Sequence, residues 1–115
     1  MSCEEQHLMP SEAIADGEFK EARMQMGGRV CWLIVTRQSG QVRAWLNICP
    51  HQGRALNYAP NQFLTDQQGR LICAAHGAVF EADEGQCVQG PCQGASLKAI
   101  EITEQDGQIT SCAQP

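Results

Sequence analysis

The 115-residue sequence predicts a small all-β domain, an antiparallel sandwich or barrel, and three observations carry that expectation. Apolar residues come in short runs or in strict alternation, with no convincing helical spacing over ten residues or more. Glycine-rich turn signals separate those runs at close intervals. One dipeptide, Asp106-Gly107, has the form that favours a two-residue hairpin turn. The length fits one domain, and an apolar content of 43 % is an ordinary globular value that argues against disorder.

Taken in order, residues 1–15 are expected as a loose N-terminal arm with a short helical turn around "SEAIA", ahead of a domain over 16–115. His7 in that arm has only polar company. "VCWLIVT", Val30 to Thr36, is continuously apolar and β-branched, as a buried strand is. "RQSGQ" is a turn around Gly40. "QVRAWLNI" then alternates, with Val42, Ala44, Leu46 and Ile48 on one face and Gln41, Arg43, Trp45 and Asn47 on the other. The two strands make a hairpin that delivers the chain to Cys49. Residues 52–66 are irregular, and "DQQGR" is a further turn. "LICAA" and "AVFEA" are two arms of a short hairpin, and "DEGQCVQGPCQGAS" is a long loop. "LKAIEITEQDGQITSC" is two strands joined at Asp106-Gly107. Met24, Met26, Trp32 and Trp45 are expected as packing residues.

Thirteen acidic against eight basic residues give a formal net charge of −5. No cationic stripe is available for phosphates, which argues against nucleic acid. The acidic balance suits docking on a basic protein patch, and equally suits solubility alone. No run of about 18 apolar residues offers a membrane span. The opening "MSCEEQHLMPSE" has no apolar core for an export signal, so a cytoplasmic protein is expected. Seven cysteines, an odd number in a reducing compartment, point to metal more than to a disulfide framework.

Two stretches carry the chemistry. "CPHQG" spans Cys49 to Gly53, and "CAAHG" spans Cys73 to Gly77. Each sets a cysteine beside a histidine and closes on glycine, and together they use two of the three histidines. Cys49 and His51 are two apart, Cys73 and His76 three apart, with 21 residues between His51 and Cys73. A Cys-x-His spacing cannot share one helix face. On tight loops at two hairpin tips, all four side chains can turn to one point. Two thiolates and two imidazoles suit tetrahedral zinc and iron–sulfur ligation alike. The glycines favour the second: cluster sulfides want nearby backbone N–H donors, and Gly53 and Gly77 permit close approach.

These two motifs, with "VFEADEG" and Gly90-Pro91 behind them, resemble the Rieske iron–sulfur family, in a low-potential, oxygenase-associated form. The match is strongest over residues 45–91, and the strand pattern extends it over about 28–112. The second loop lies somewhat further along than is common in the family. The resemblance implies one [2Fe-2S] cluster, with Cys49 and Cys73 on a buried iron and His51 and His76 on an outer iron. It implies cofactor contacts at Gly53 and Gly77, and a covering proline loop at Pro91. The high-potential branch carries an extra cysteine on each ligand loop. Arg54 and Ala75 stand there, so that disulfide cannot form. Its cluster-facing serine and tyrosine are replaced by Ala78 and Phe80. Fewer hydrogen bonds to sulfur leave the reduced cluster less stabilised, so a midpoint toward the lower end of the roughly −150 to +300 mV Rieske span follows.

The remaining cysteines are expected to be bland. Cys87 and Cys92 read as two free thiols on the loop, with a disulfide the minority alternative. Cys31 reads as a small core residue, and Cys3 and Cys112 as idle. With the useful histidines committed, no Ser/His/Asp set, phosphate loop or dinucleotide fingerprint can be built, nor a second two-histidine iron site. The expectation is therefore an electron carrier without catalytic residues of its own: a monomeric Rieske-type ferredoxin that takes one electron from a reductase and hands it to a terminal oxygenase. The alternatives are a small subunit of a nitrite-reductase-type assembly and, behind it, an iron or redox sensor.

Overall fold

The computed structural model describes residues 5–50, 53–75 and 77–112. Eleven strands, all paired antiparallel, make three sheets, with one 3₁₀ turn, Ser11–Ala13, as the only helical piece among the described residues. The first sheet holds β1 (Glu5–Pro10), β11 (Gln108–Cys112) and β10 (Ile102–Gln105), in that spatial order. The second runs β2 (Phe19–Met26), β3 (Arg29–Gln38), β4 (Gln41–Leu46), β9 (Ala99–Ile100). The third runs β5 (Leu64–Thr65), β6 (Leu71–Ile72), β7 (Val79–Phe80), β8 (Cys87–Gln89).

Three two-residue turns set the registers. Gly27-Gly28 joins β2 to β3 with Met26 opposite Arg29; Ser39-Gly40 joins β3 to β4 with Gln38 opposite Gln41; Asp106-Gly107 joins β10 to β11 with Gln105 opposite Gln108. All six turn residues have positive φ, the form whose twist matches flanking strands.

The second sheet is central, and its pleat feeds two cores. Leu33, Val35 and Ala44 point to one side, where Ala22 and Met24 join Met9, Ile14 and Ile109 in an aliphatic core. Ile34 and Trp45 point to the other side, where Phe19, Leu56, Leu71, Phe80, Leu97 and four cysteines form a second core. Because both faces are covered, Trp45 is buried, as expected of a packing residue, and Asn47 on the same polar set is buried too. The "VCWLIVT" run departs from expectation the other way. Leu33 to Thr36 are fully buried, but Val30 and Trp32 at the free end are half exposed, 51 % and 50 %.

The expected loose arm is a strand in its described part. β1 pairs with β11 through a bulge between His7 and Met9, and Met9 and Ile14 enter the aliphatic core. That bulge interrupts the alternation, which is why the strand escapes a pattern reading. The short helical turn is present, as Ser11–Ala13. His7 lies exposed, its ring paired with the Gln108 side-chain oxygen. β2 has no clear apolar pattern, because "FKEARMQM" mixes charges among its buried positions; the Gly27-Gly28 pair is its available signal. The long "LKAIEITEQ" strand is two: β9 stays with the central sheet, then the chain crosses at Glu101 to β10 in the first. Arg37 laces this side together. Its guanidinium donates to the carbonyls of Ile14, Gly40 and Ser11 and to the Glu104 carboxylate.

The excursion after the first motif is anchored. Backbone N–H of Glu21 donates to Asn61 Oδ1 at 2.8 Å, and Asn61 N–H returns a bond to the Glu21 carboxylate. Phe63 packs on the second core, and Asp66 closes the turn to Arg70 by ion pair and backbone bonds.

Candidate metal centre

The two motifs fold into the same turn. Cys49 N–H donates to the Arg54 carbonyl at 2.7 Å, while Gly53 N–H donates to the Cys49 carbonyl at 2.8 Å. Cys73 N–H donates to the Ala78 carbonyl at 2.8 Å, and Gly77 N–H to the Cys73 carbonyl at 2.9 Å. Gly53 and Gly77 have φ of 69° and 74°, a region that glycine enters without steric cost. A Cβ at either glycine would meet no atom within 4 Å. Backbone conformation, rather than crowding by protein atoms, therefore calls for glycine here.

A third turn copies the pattern without a thiol. Glu81 N–H donates to the Gln86 carbonyl and Gly85 N–H to the Glu81 carbonyl, both at 2.9 Å, with Gly85 at φ 72°. Here crowding matters as well: a Cβ on Gly85 would stand 2.7 Å from Trp45 Nε1.

One side chain and one residue tie the twin turns together. Asn47 Oδ1 accepts the Leu56 N–H at 2.8 Å, and its Nδ2 donates to Asn57 Oδ1 at 2.8 Å, so the chain is held on both sides of the first turn. The Leu56 carbonyl then accepts the Ala74 N–H of the second turn at 3.1 Å, with the Leu56 side chain fully buried. Sequence reasoning missed both residues. Asn47 falls by alternation with Gln41 and Arg43, and only its place two residues before Cys49 hints at a role.

Cys49 and Cys73, expected as ligands, lie in one buried core at 3 % and 1 % exposure, with Cys87 and Cys92 beside them. Burial, and then the neighbouring Cys87 and Cys49 thiols, pushes Cys92 up to about 12. Cys112 is disulfide-bonded rather than idle. Ala78 and Phe80 are buried and bring no hydroxyl, as expected. Pro91 sits on an exposed loop whose neighbour Gly90 packs on the second turn: a Cβ there would come within 2.9 Å of Ala78 Cα. His51 and His76 lie outside the described residues. Among the described residues no group of three His, Cys, Asp or Glu side chains could hold a metal. What these residues offer is a pair of buried thiols, delivered by matched turns into one core. Such a pair suits thiolate ligation of a cluster and needs two further donors.

The Rieske [2Fe-2S] domain family matches residues 4–109. This chain belongs to the Rieske family. The Rieske cofactor is a [2Fe-2S] cluster, and a buried pair of thiols on matched loops fits its thiolate-ligated iron. Among solved structures, the chain is similar to the ferredoxin of carbazole 1,9a-dioxygenase from Nocardioides aromaticivorans IC177 (TM-score 0.70, 16 % identity, 94 % of this chain, 96 % of that one). It is similar to the Sphingomonas yanoikuyae B1 ferredoxin (TM-score 0.70, 24 % identity, 97 % and 100 %). It also matches part of the terminal oxygenase of carbazole 1,9a-dioxygenase from Novosphingobium sp. KA1 (TM-score 0.74, 19 % identity). There it takes in 96 % of this chain but spans only 30 % of the oxygenase chain. No curated protein matches. The all-β Rieske fold expected from the sequence is thus the one observed. No helix among the described residues is long and apolar enough to cross a membrane.

Proposed function

We propose that this Rieske protein carries single electrons from a reductase to a terminal oxygenase, holding its cluster through Cys49, His51, Cys73 and His76. The observation that carries the electron-transfer reading is length. The two ferredoxins are matched over 96 % and 100 % of their chains, whereas the oxygenase extends far beyond the matched part. The observation behind the ligand set is the repeated turn that places Cys49 and Cys73 in one core, each followed within three residues by a histidine.

When bound, the cluster supplies a one-electron couple. This chain's residues supply its setting. Cys49 and Cys73 offer thiolates from a dry core. Gly53 and Gly77 let the turns close around the ligands. Leu56, Phe80 and Ala78 keep water from the inner side, and the Gly90-Pro91 loop covers a further side. Ile48, 49 % exposed beside Cys49, and Trp32, whose carbonyl receives the Asn47 N–H, offer apolar ground next to the first turn for a partner. The net charge of −5 favours a basic partner surface. The chain acts as a cytoplasmic monomer without substrate chemistry of its own.

The test is the electron paramagnetic resonance spectrum of the reduced protein, followed by rapid mixing with a Rieske-oxygenase reductase and oxygenase. A low average g value and turnover of the signal by both partners are expected. A colourless, zinc-containing protein would overturn the ligand set, and a reducible protein that neither partner turns over would overturn the carrier role.

A further inference from the structure

Cys87 and Cys92 belong to neither ligand motif, yet their sulfurs stand 3.0 Å apart. Both are free thiols. Cys92 S–H donates to Cys87 sulfur, and Cys87 S–H to the Gln89 carbonyl at 3.3 Å. A disulfide needs about 2.0 Å between sulfurs, so closure asks for roughly 1 Å of approach. The backbone already holds the two ends together. Cys87 N–H donates to the Ala95 carbonyl at 2.7 Å, Gly94 N–H to the Cys87 carbonyl at 3.0 Å, and Ala95 N–H to the Cys92 carbonyl at 2.9 Å.

What the pair brackets is the covering loop. Gln89, Gly90 and Pro91 are exposed, and Gly90 is seated on Ala78 of the second turn. Cys92 shares the buried core with Cys49 of the first turn. The pair therefore stands where the covering loop meets both turns. Cys92, 9 % exposed between exposed Pro91 and Gln93, is the sulfur a small reagent reaches first; Cys87, at 1 %, is the one behind it. That order is the arrangement of an attacking and a resolving thiol.

We propose that Cys87 and Cys92 are a reversible dithiol that closes to a disulfide and staples the 88–91 loop over the twin turns. With a low-molecular-weight disulfide as oxidant, the thiolate form of Cys92, kept scarce by burial so that closure is slow, attacks one of its sulfurs and forms a mixed disulfide, releasing one small thiol. Cys87 sulfur then attacks Cys92 sulfur, forming the internal bond and releasing the second. Two electrons pass to the oxidant, and the two thiol hydrogens leave on the two small thiols. The bond itself depends only on the two cysteines. Its effect on the cofactor rests on the ligation proposed above.

The cluster-loaded full chain, equilibrated in glutathione buffers from fully reduced to fully oxidised, is acid-quenched, alkylated and mapped. Cys87 and Cys92 are expected to lose alkylation together at one buffer ratio and regain it on reduction. Cys87→Ala is expected to leave Cys92 as a stable mixed disulfide with glutathione, and Cys92→Ser to leave Cys87 alkylatable throughout. Full alkylation of wild-type Cys87 and Cys92 at every ratio would overturn the proposal, as would a persistent mixed disulfide on Cys92 with Cys87 still reactive. Bleaching of visible absorbance by a chelator is expected to slow several-fold in the oxidised wild type, and to show no such dependence in the double alanine variant. Equal bleaching in both wild-type states would overturn the staple. Failure of the ligation reading shows separately, as a colourless protein whose Cys87 and Cys92 still titrate together.

Discussion

The two faces of the central sheet are built differently. One face meets a core of Met9, Ile14, Ala22, Met24, Leu33, Val35, Ala44 and Ile109, drawn largely from strands of five to ten residues. The other meets a core with three aromatic rings and four cysteines, drawn largely from turns and from strands of two or three residues. Long strands with a wholly aliphatic seam hold themselves by burial and ladder bonds; two-residue strands do not. The thiol side is held instead by repeated turns, by Asn47 and by Leu56. The difference teaches that this protein separates its scaffold from its chemistry across one sheet, so a defect on one side should read out differently from a defect on the other.

The sharpest way to break the comparison is to remove a thiol. Cys49→Ala or Cys73→Ala is expected to abolish the visible and paramagnetic signals entirely while the β-sheet circular dichroism of the scaffold persists. Loss of both together would mean that the aliphatic side is not independent. Next come truncations on that side. Leu33→Ala or Ile109→Ala, both fully buried, should cost about 2–5 kcal/mol in denaturant unfolding and leave the spectrum of the surviving protein unchanged. Asn47→Ala should cost about 1–3 kcal/mol by orphaning the buried Leu56 N–H, and should also speed chelator bleaching, because the bridge between the turns is gone.

Smaller effects sharpen the picture. Ala78→Ser returns a hydroxyl near the second turn. A single added hydrogen bond of about 1 kcal/mol, favouring the reduced state, corresponds to a rise on the order of 50 mV in midpoint, from a wild-type value in the lower part of the Rieske span. Protein-film voltammetry reads it; a wild-type midpoint above about +100 mV would remove the premise. The smallest effect lies on the scaffold. The Arg37 guanidinium, by hydrogen bond and charge, holds the Glu104 carboxyl below its ordinary value. Its contribution is therefore complete above the unfolded carboxyl value of about 4.3 and is lost as pH falls through the lower folded value. Glu104→Gln should erase that acid-limb dependence in thermal melts, by less than about 1 kcal/mol for so open a pair, without touching the cofactor signal.

Much of this was readable from the chain because its cues are local. Asp106-Gly107 and Gly40 marked hairpins that stand as expected, and "CPHQG" and "CAAHG" marked the turns that bring Cys49 and Cys73 together. What escaped depends on what lies across the molecule. Asn47 falls with the polar set by alternation, and its burial goes with bonds to Leu56 and Asn57 beyond the first turn, while Trp32, expected to pack, is left half exposed. β1 is hidden by its bulge, and the split at Glu101 follows from a change of sheet that no pattern of apolar residues announces. The proposed ligation by His51 and His76 rests on the motif, since those two residues lie outside the described ones.

The opposite destinations of Ala44 and Trp45 have a consequence for how the molecule assembles. A one-residue slip in the β3–β4 pairing would drive the indole into the aliphatic side and leave a methyl group facing the thiols. No intermediate compromise exists, so the hairpin is self-correcting: wrong registers are rejected by volume. The gauge that fixes the right one is the Ser39-Gly40 turn, and Cys49 lies three residues past the strand it measures out. At about 3.4 Å per residue, a turn more than roughly 17 Å away thus decides where the first thiol stands.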